Sequence, residues 1–469
     1  MGRPLVLLVL LAGACGAAQV PRDLPVAKRL DLAVERYHAG AHLDSAQRMV
    51  EVLAALPEDE PKRDTAQYYL AASLHRLGLA QAAAYLLIEV LMGKRAPELE
   101  ERVLASLGHM LREGDIDESQ LGGGLFFGID LGELPADISG LASYYQALAE
   151  LRHGFSPHAK KRLEEAARGA DFYAWKARHA LAVMALGQKD DAAAERQLRA
   201  ILGDPAAPRG IKNESRTALA RLLYERKQHA DAFRLYVASD SSLSHQDEVL
   251  LESAWNQLAD RDEKRALGSL VGLGAPVYGR ALAPERALIR AMALMNLCQF
   301  RHAHLAVLEF RKQHGETLRR LREREPLEGD PALVGAVAQR DDLVPERATH
   351  DRLVRERARA RKLQSKALAR YVLPIYELGL ARSQARLKKQ EASAREQLAA
   401  ELLAVDEKMG ILDYELGLGL FRSVGGPARS TPGSHGPSDP GVVGFRFDGE
   451  YWTDELKDYS VLVDDRCVP

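Results

Sequence analysis

The residues of this chain best suited to chemistry are few, and their spacing does not support it. Asp115-Ile116-Asp117-Glu118-Ser119 opens like a calcium loop, but the glycine and closing glutamate such a loop needs are misplaced. A surface turn is the better reading. His302 and His304 flank Ala303 and point to different faces of a helix, so they cannot jointly hold one metal from it. Gly122-Gly123-Gly124 would cradle a phosphate only between a strand and the start of a helix, and here its surroundings read as helical. The chain has no His-Glu-x-x-His pair, no Gly-x-Ser-x-Gly elbow and no phosphate loop ending in Gly-Lys-Ser/Thr. The expectation is a non-enzyme with no catalytic residue, no metal, no cofactor and no evident small-molecule substrate. A net charge of −2 leaves no electrostatic footprint for nucleic acid.

Thiol chemistry is the remaining possibility, with three cysteines in 469 residues. Cys15 belongs to an N-terminus that reads as an export signal. Arg3 supplies a positive start, Leu5 to Leu11 an apolar run too short to span a bilayer, and Ala12 to Ala18 small residues. Two processing routes stay open. Signal peptidase would cut after Ala18. Alternatively, Leu11-Ala12-Gly13-Ala14-Cys15 resembles a bacterial lipobox, in which Cys15 becomes an acylated first residue. Cys298 and Cys467 are too few for a disulfide framework. An export compartment permits a bond between them, but two unpaired thiols is the plainer reading.

The elements that would position these residues are helices. The composition is 46% hydrophobic but only 6% aromatic, rich in alanine and leucine, which favour helix. Small residues recur at Ala46, Ala83, Ser119, Ala159, Ala192, Ala232, Ala266 and Ala303, with gaps of 37, 36, 40, 33, 40, 34 and 37 residues. Each lies five residues after a break, at Gly78, Gly114, Gly154 and Gly187 in four cases. In the others the turn residue is Ala41, Lys227, Arg261 or Cys298, so those turns are expected to close differently. Seven residues before the break stand Ala71, Ala147, Ala180, Ala220, Ala254 and Ala291, with Val34 and Leu107 in the first and third repeats. Tyr37, Leu74, Met110, Val183, Leu223 and Leu294 precede the turn by four. A period in the mid-thirties marks helix pairs that bury their apolar faces only by stacking.

This pattern resembles the tetratricopeptide repeat (TPR) over residues 27 to 320, with a degenerate third repeat at Gly122-Gly123-Gly124. The resemblance implies an all-α, right-handed superhelical solenoid whose concave groove binds a segment of another protein. First-helix residues Tyr144, Tyr145, Arg178 and Arg216 are the candidates for that groove, and Trp175 and Trp255 are expected to fill the core. Beyond the repeats, Glu316 to Arg324 is a charged stretch, and a long helical region covers 345–420. Its opening, Glu346 to Arg370, carries nine basic residues against three acidic. This is either a solvated face or a docking face for anionic lipid or an acidic partner. Pro374 should kink or end the helix. Residues 422–441 read as a flexible linker, and 442–469 as a small β-hairpin tail around Asp448-Gly449. Phe445, Phe447, Tyr451, Trp452 and Tyr459 would dock that tail on a helix. The ending is similar to C-terminal segments of exported repeat proteins in gliding, high-GC Gram-negative bacteria.

The functional expectation is a protein-interaction scaffold in the periplasm or outer membrane of a Gram-negative cell. It would serve a motility, secretion or outer-membrane assembly complex, with other envelope proteins as partners. The alternative is a membrane adaptor anchored through acylated Cys15 and the basic helix.

Overall fold

The computed structural model describes residues 24–93, 96–121, 126–129, 131, 134–239, 246–275, 284–424, 449, 451–452 and 455–467. The export segment with Cys15, Gly122-Gly123-Gly124, residues 425–441 of the expected linker and the strand-like stretch 442–448 lie outside them.

Among the described residues the fold is all-α and built from consecutive helix pairs. These are α1 (Val26–His38) with α2 (His42–Ala55), α3 (Lys62–Arg76) with α4 (Ala80–Gly93), and α5 (Glu100–Arg112) with the single-turn α6 (Glu118–Leu121). Next come α7 (Ala136–Arg152) with α8 (Ser156–Ala166), α9 (Phe172–Gly187) with α10 (Asp191–Gly203), and α11 (Arg209–Glu225) with α12 (His229–Val237). The last two pairs are α13 (Gln246–Ala259) with α14 (Glu263–Gly272), and α15 (Pro284–Asn296) with α16 (Phe300–Arg322). Three further helices follow: α17 (Pro331–Ala338), α18 (Val344–Ala360) and the 59-residue α19 (Lys366–Val424).

One turn geometry recurs in every pair. The first helix ends in a residue with positive φ: Gly40, Gly78, Gly114, Gly154, Lys189, Lys227, Arg261 or Cys298. The following N–H then reaches back to a carbonyl of the first helix, at 2.9 Å for Leu79 to Leu74, Asp190 to Ala185 and Gln228 to Leu223, and 2.8 Å for Gln299 to Leu294. This Schellman closure satisfies carbonyls that a helix end leaves unpaired. It corrects three expectations. The turns lacking glycine do not close differently; Lys227, Arg261 and Cys298 adopt the left-handed conformation themselves. In the first pair Gly40, not Ala41, is the turn residue, and in the fifth Lys189, not Gly187.

Counting from these residues tightens the repeat. Seven positions earlier stand Ala33, Ala71, Leu107, Ala147, Ala182, Ala220, Ala254 and Ala291, all with 0% exposure. Five positions later stand Ser45, Ala83, Ala159, Ala194, Ala232, Ala266 and Ala303, again at 0%. Small side chains at both points let paired backbones approach closely, as dense packing requires. In the fifth repeat the expected Ala180 and Ala192 are therefore off register. Ala192 is exposed and Ala180 only half-buried, while Ala182 and Ala194 pack. In the first repeat Ala33 replaces Val34, and Ser45 joins the buried Ala46, its hydroxyl donating to the Ala33 carbonyl at 2.9 Å.

The chain forms two compact units. The first holds α1–α6 together with residues 349–382 of α18 and α19. Pro374 lies inside α19 and does not end it. Leu368, Val372 and Tyr376, all fully buried, hold the helix through the one hydrogen bond that proline cannot donate. The second unit holds α7–α17, the rest of α18 and α19, and the tail. There α16 continues through the charged stretch to Arg322, supported by i,i+3 and i,i+4 pairs of Glu316 with Arg319 and Arg320. Leu402, Val405, Met409, Leu412 and Leu416 of α19 pack into one core with Ala303, Val307 and Phe310 of α16.

Candidate interaction surfaces

The expected groove residues fall into packing roles. Tyr145 is 0% exposed and stacks on Phe126, with ring centroids 5.8 Å apart, and Tyr144 is buried between Tyr145 and Tyr173. Both rings are buried, because the first helix of this pair turns its tyrosines into the core. Arg178 donates to the carbonyls of Ala167 (3.0 Å) and Gly169 (2.9 Å) and lies over the Trp175 ring at 4.2 Å, so it braces the α8–α9 turn. Arg216 is half-buried beside the Asn213 side chain. His302 and His304 have separate partners: His302 contacts Gln299, and His304 contacts Asp413, which Arg311 also pairs at 2.7 Å. Among the described residues no three His, Cys, Asp or Glu side chains converge as metal ligands, and no helix is long and apolar enough to cross a membrane.

In the first unit the basic stretch is engaged by the repeats. The buried Glu356 of α18 accepts from the Gln81 backbone N–H and the Tyr376 hydroxyl, both at 2.9 Å. Arg359 donates to the Gly78 carbonyl at 3.3 Å, and Arg352 lies 3.6 Å from Asp117. Burial raises the Glu356 carboxyl to about 7, partly opposed by its two donors. Arg352, Glu356 and Arg359 of the expected docking face are thus engaged in packing.

The tail is not a hairpin where it is described. Residues 459–465 belong to no helix or strand and lie as a strap over the last two helix pairs. The Val461 N–H donates to the Lys264 carbonyl and the Arg466 N–H to the Leu297 carbonyl, both at 3.0 Å, while Gln299 donates to the Asp464 carbonyl at 2.7 Å. Cys467 is disulfide-bonded to Cys298, which overturns the plainer reading of free thiols. Three glycines make room for the strap. A Cβ on Gly268 would lie 1.8 Å from the Tyr459 carbonyl oxygen, one on Gly272 2.3 Å from that of Leu456, and one on Gly274 3.1 Å from the Tyr451 hydroxyl. Beneath the strap a crevice of about 890 Å³ opens between α14, α15 and α16.

Sequence reasoning also missed the outer face of α19. Ile411, Tyr414, Leu418 and Phe421 are 59, 71, 43 and 82% exposed. At 3.6 residues per turn these positions share one narrow face, opposite the Leu402-to-Leu416 face that packs into the core. The 3-4-3 spacing was readable, but the chain gives no sign of which apolar face the core takes.

No protein-family model matches the chain, and no curated protein matches it. Two solved helical-repeat structures align with it. The crystal structure of the P58(IPK) TPR domain is 13% identical, covering 85% of this chain and 99% of that one at a TM-score of 0.22. A circular tandem repeat protein with novel repeat topology and enhanced subunit contact surfaces is 15% identical, covering 85% and 91% at a TM-score of 0.17. The TPR-like character of the chain rests on its own eight matching turns, and neither likeness adds to it.

Proposed function

We propose that this chain is a protein-interaction scaffold whose partner presents an amphipathic helix to the outer stripe of α19. The observation that carries the reading is that stripe. Four large apolar side chains in coiled-coil spacing, on a helix already anchored by its opposite face, form a ready seam for a second helix. Exposed apolar residues in such a row mark interaction sites, whereas scattered ones do not. Burying each side chain contributes about 1.5–3 kcal/mol.

The scaffold works in the envelope of a Gram-negative cell, within a complex for motility, secretion or outer-membrane assembly. The leader-like N-terminus and the Cys298–Cys467 bond support an oxidising compartment. Mass spectrometry of the mature N-terminus distinguishes cleavage after Ala18 from an acylated Cys15.

The test places a photo-crosslinking residue at Tyr414, at Phe421 and, as a control off the stripe, at Lys408 in the full chain in its host. One shared crosslinked partner at the first two positions, lost on Phe421→Asp, is expected. Equal crosslinking at Lys408, survival of the complex in Phe421→Asp, or a crosslinked dimer of the chain itself would each overturn the reading.

A further inference from the structure

The crevice beneath the strap has two unlike ends. One is apolar, formed by Leu267, Leu270, Leu294 and Ala306, all buried, with Val461 and Val463 of the strap as a wall. The register of the other end follows from the ion pair between Arg290 of α15 and Glu309 of α16 at 2.7 Å. One turn further along these antiparallel helices, Arg286 stands level with Gln313 and His314. Among the described residues no carboxylate pairs with Arg286. Its electrostatic neighbours are the Tyr451 hydroxyl and Arg290, the latter matched by Glu309, and its guanidinium lies 2.7 Å from where a Gly274 Cβ would be.

His314 is 5% exposed, lines the crevice and has no hydrogen-bond partner among the described residues; its ring packs against that of Phe310. Burial pushes its imidazole pKa down, so it stays neutral and keeps one N–H to give. A guanidinium with no carboxylate partner among the described residues, and an imidazole N–H beside it, at the mouth of an apolar slot are complementary to a single planar anion with a long apolar tail.

We propose that this crevice binds one long-chain fatty acid, its carboxylate held by Arg286, Gln313 and His314 and its chain lying toward Ala306 and the strap. The guanidinium fork fits a carboxylate with two parallel hydrogen bonds. A single unmatched positive charge fits a monoanion better than a phosphate. The volume lies within the ~300–1,000 Å³ of small-molecule clefts. This site is separate from the α19 stripe, so either proposal stands if the other fails.

The test is calorimetric titration of the full, oxidised chain with hexadecanoate, with hexadecanol and phosphatidylglycerol micelles as comparisons. Saturable binding at one site per chain is expected, weakened roughly tenfold or more by Arg286→Ala and by removal of the charge in hexadecanol. Because Arg286 lies on the crevice rim, its substitution leaves the core packing intact. Ala306→Trp, which fills the slot, abolishes binding, and circular dichroism shows whether that variant remains folded. Absence of saturable hexadecanoate binding, equal affinity in Arg286→Ala, or a preference for phosphatidylglycerol would overturn the proposal.

Discussion

Replacing Gly268 by alanine should unseat the strap, although alanine is the better helix former. Within α14 the exchange is worth up to about 1 kcal/mol in favour of alanine. Against it, the new methyl would lie 1.8 Å from the Tyr459 carbonyl oxygen, 2.3 Å from its carbon and 2.7 Å from the Ser460 nitrogen. All three are backbone atoms, so no side chain can swing aside. The strap must move by more than an ångström. It then loses the burial of Leu456, which is 2% exposed and worth ~2 kcal/mol, and the Val461-to-Lys264 hydrogen bond, worth ~1 kcal/mol. The net expectation is a loss of ~2 kcal/mol with the disulfide intact. Gly315, inside α16 with nothing within 4 Å of its would-be Cβ, is the control, and its alanine variant should gain up to ~1 kcal/mol. Thermal unfolding combined with limited proteolysis of the strap reads both. If Gly268→Ala and Gly315→Ala shift the melting temperature in the same direction, the glycine slot is not what seats the strap.

Two further expectations concern the turns and the first unit. Lys227 holds φ +61°, which glycine adopts without a Cβ penalty, so Lys227→Gly should stabilise by ~0.5–1 kcal/mol in urea titrations; a loss would mean the lysine side chain has an unseen role. Glu356, raised from 4.5 to about 7, takes up a proton on folding between those values. The first unit should therefore lose up to ~3 kcal/mol as pH climbs from about 4.5 to 7, and Glu356→Gln should flatten that slope. A pH series of melting temperatures that is identical in both proteins would refute the assignment.

Much of the architecture could be read from spacing alone, because a helix pair that packs through small residues must repeat them. Ala83, Ala159, Ala232, Ala266 and Ala303 stand where the period puts them. Spacing misleads where a glycine stands near the turn without forming it. Gly187 drew the fifth repeat two residues out of register, because a lysine in the left-handed conformation has no signature in composition. Helix position alone does not set the face of Tyr144 and Tyr145, because which side of a first helix meets its neighbours depends on packing that no single repeat contains. Gly268 and Gly272 in α14, and Gly274 just past its end, carry no sign in the sequence of the strap nearly two hundred residues away that fills the space beside them. The cysteine pairing was hidden for the same reason: 169 residues separate Cys298 from Cys467.

That separation also orders the protein's assembly in time. During synthesis the helix pairs up to α16 exist long before the segment that covers them, so their glycine-lined channel must first meet solvent or a chaperone. Covalent locking of the two thiols comes afterwards, and it records that the final stretch has reached its berth. A cell that traps the chain in a reducing compartment would hold helix pairs that are stacked but left unfastened at one end.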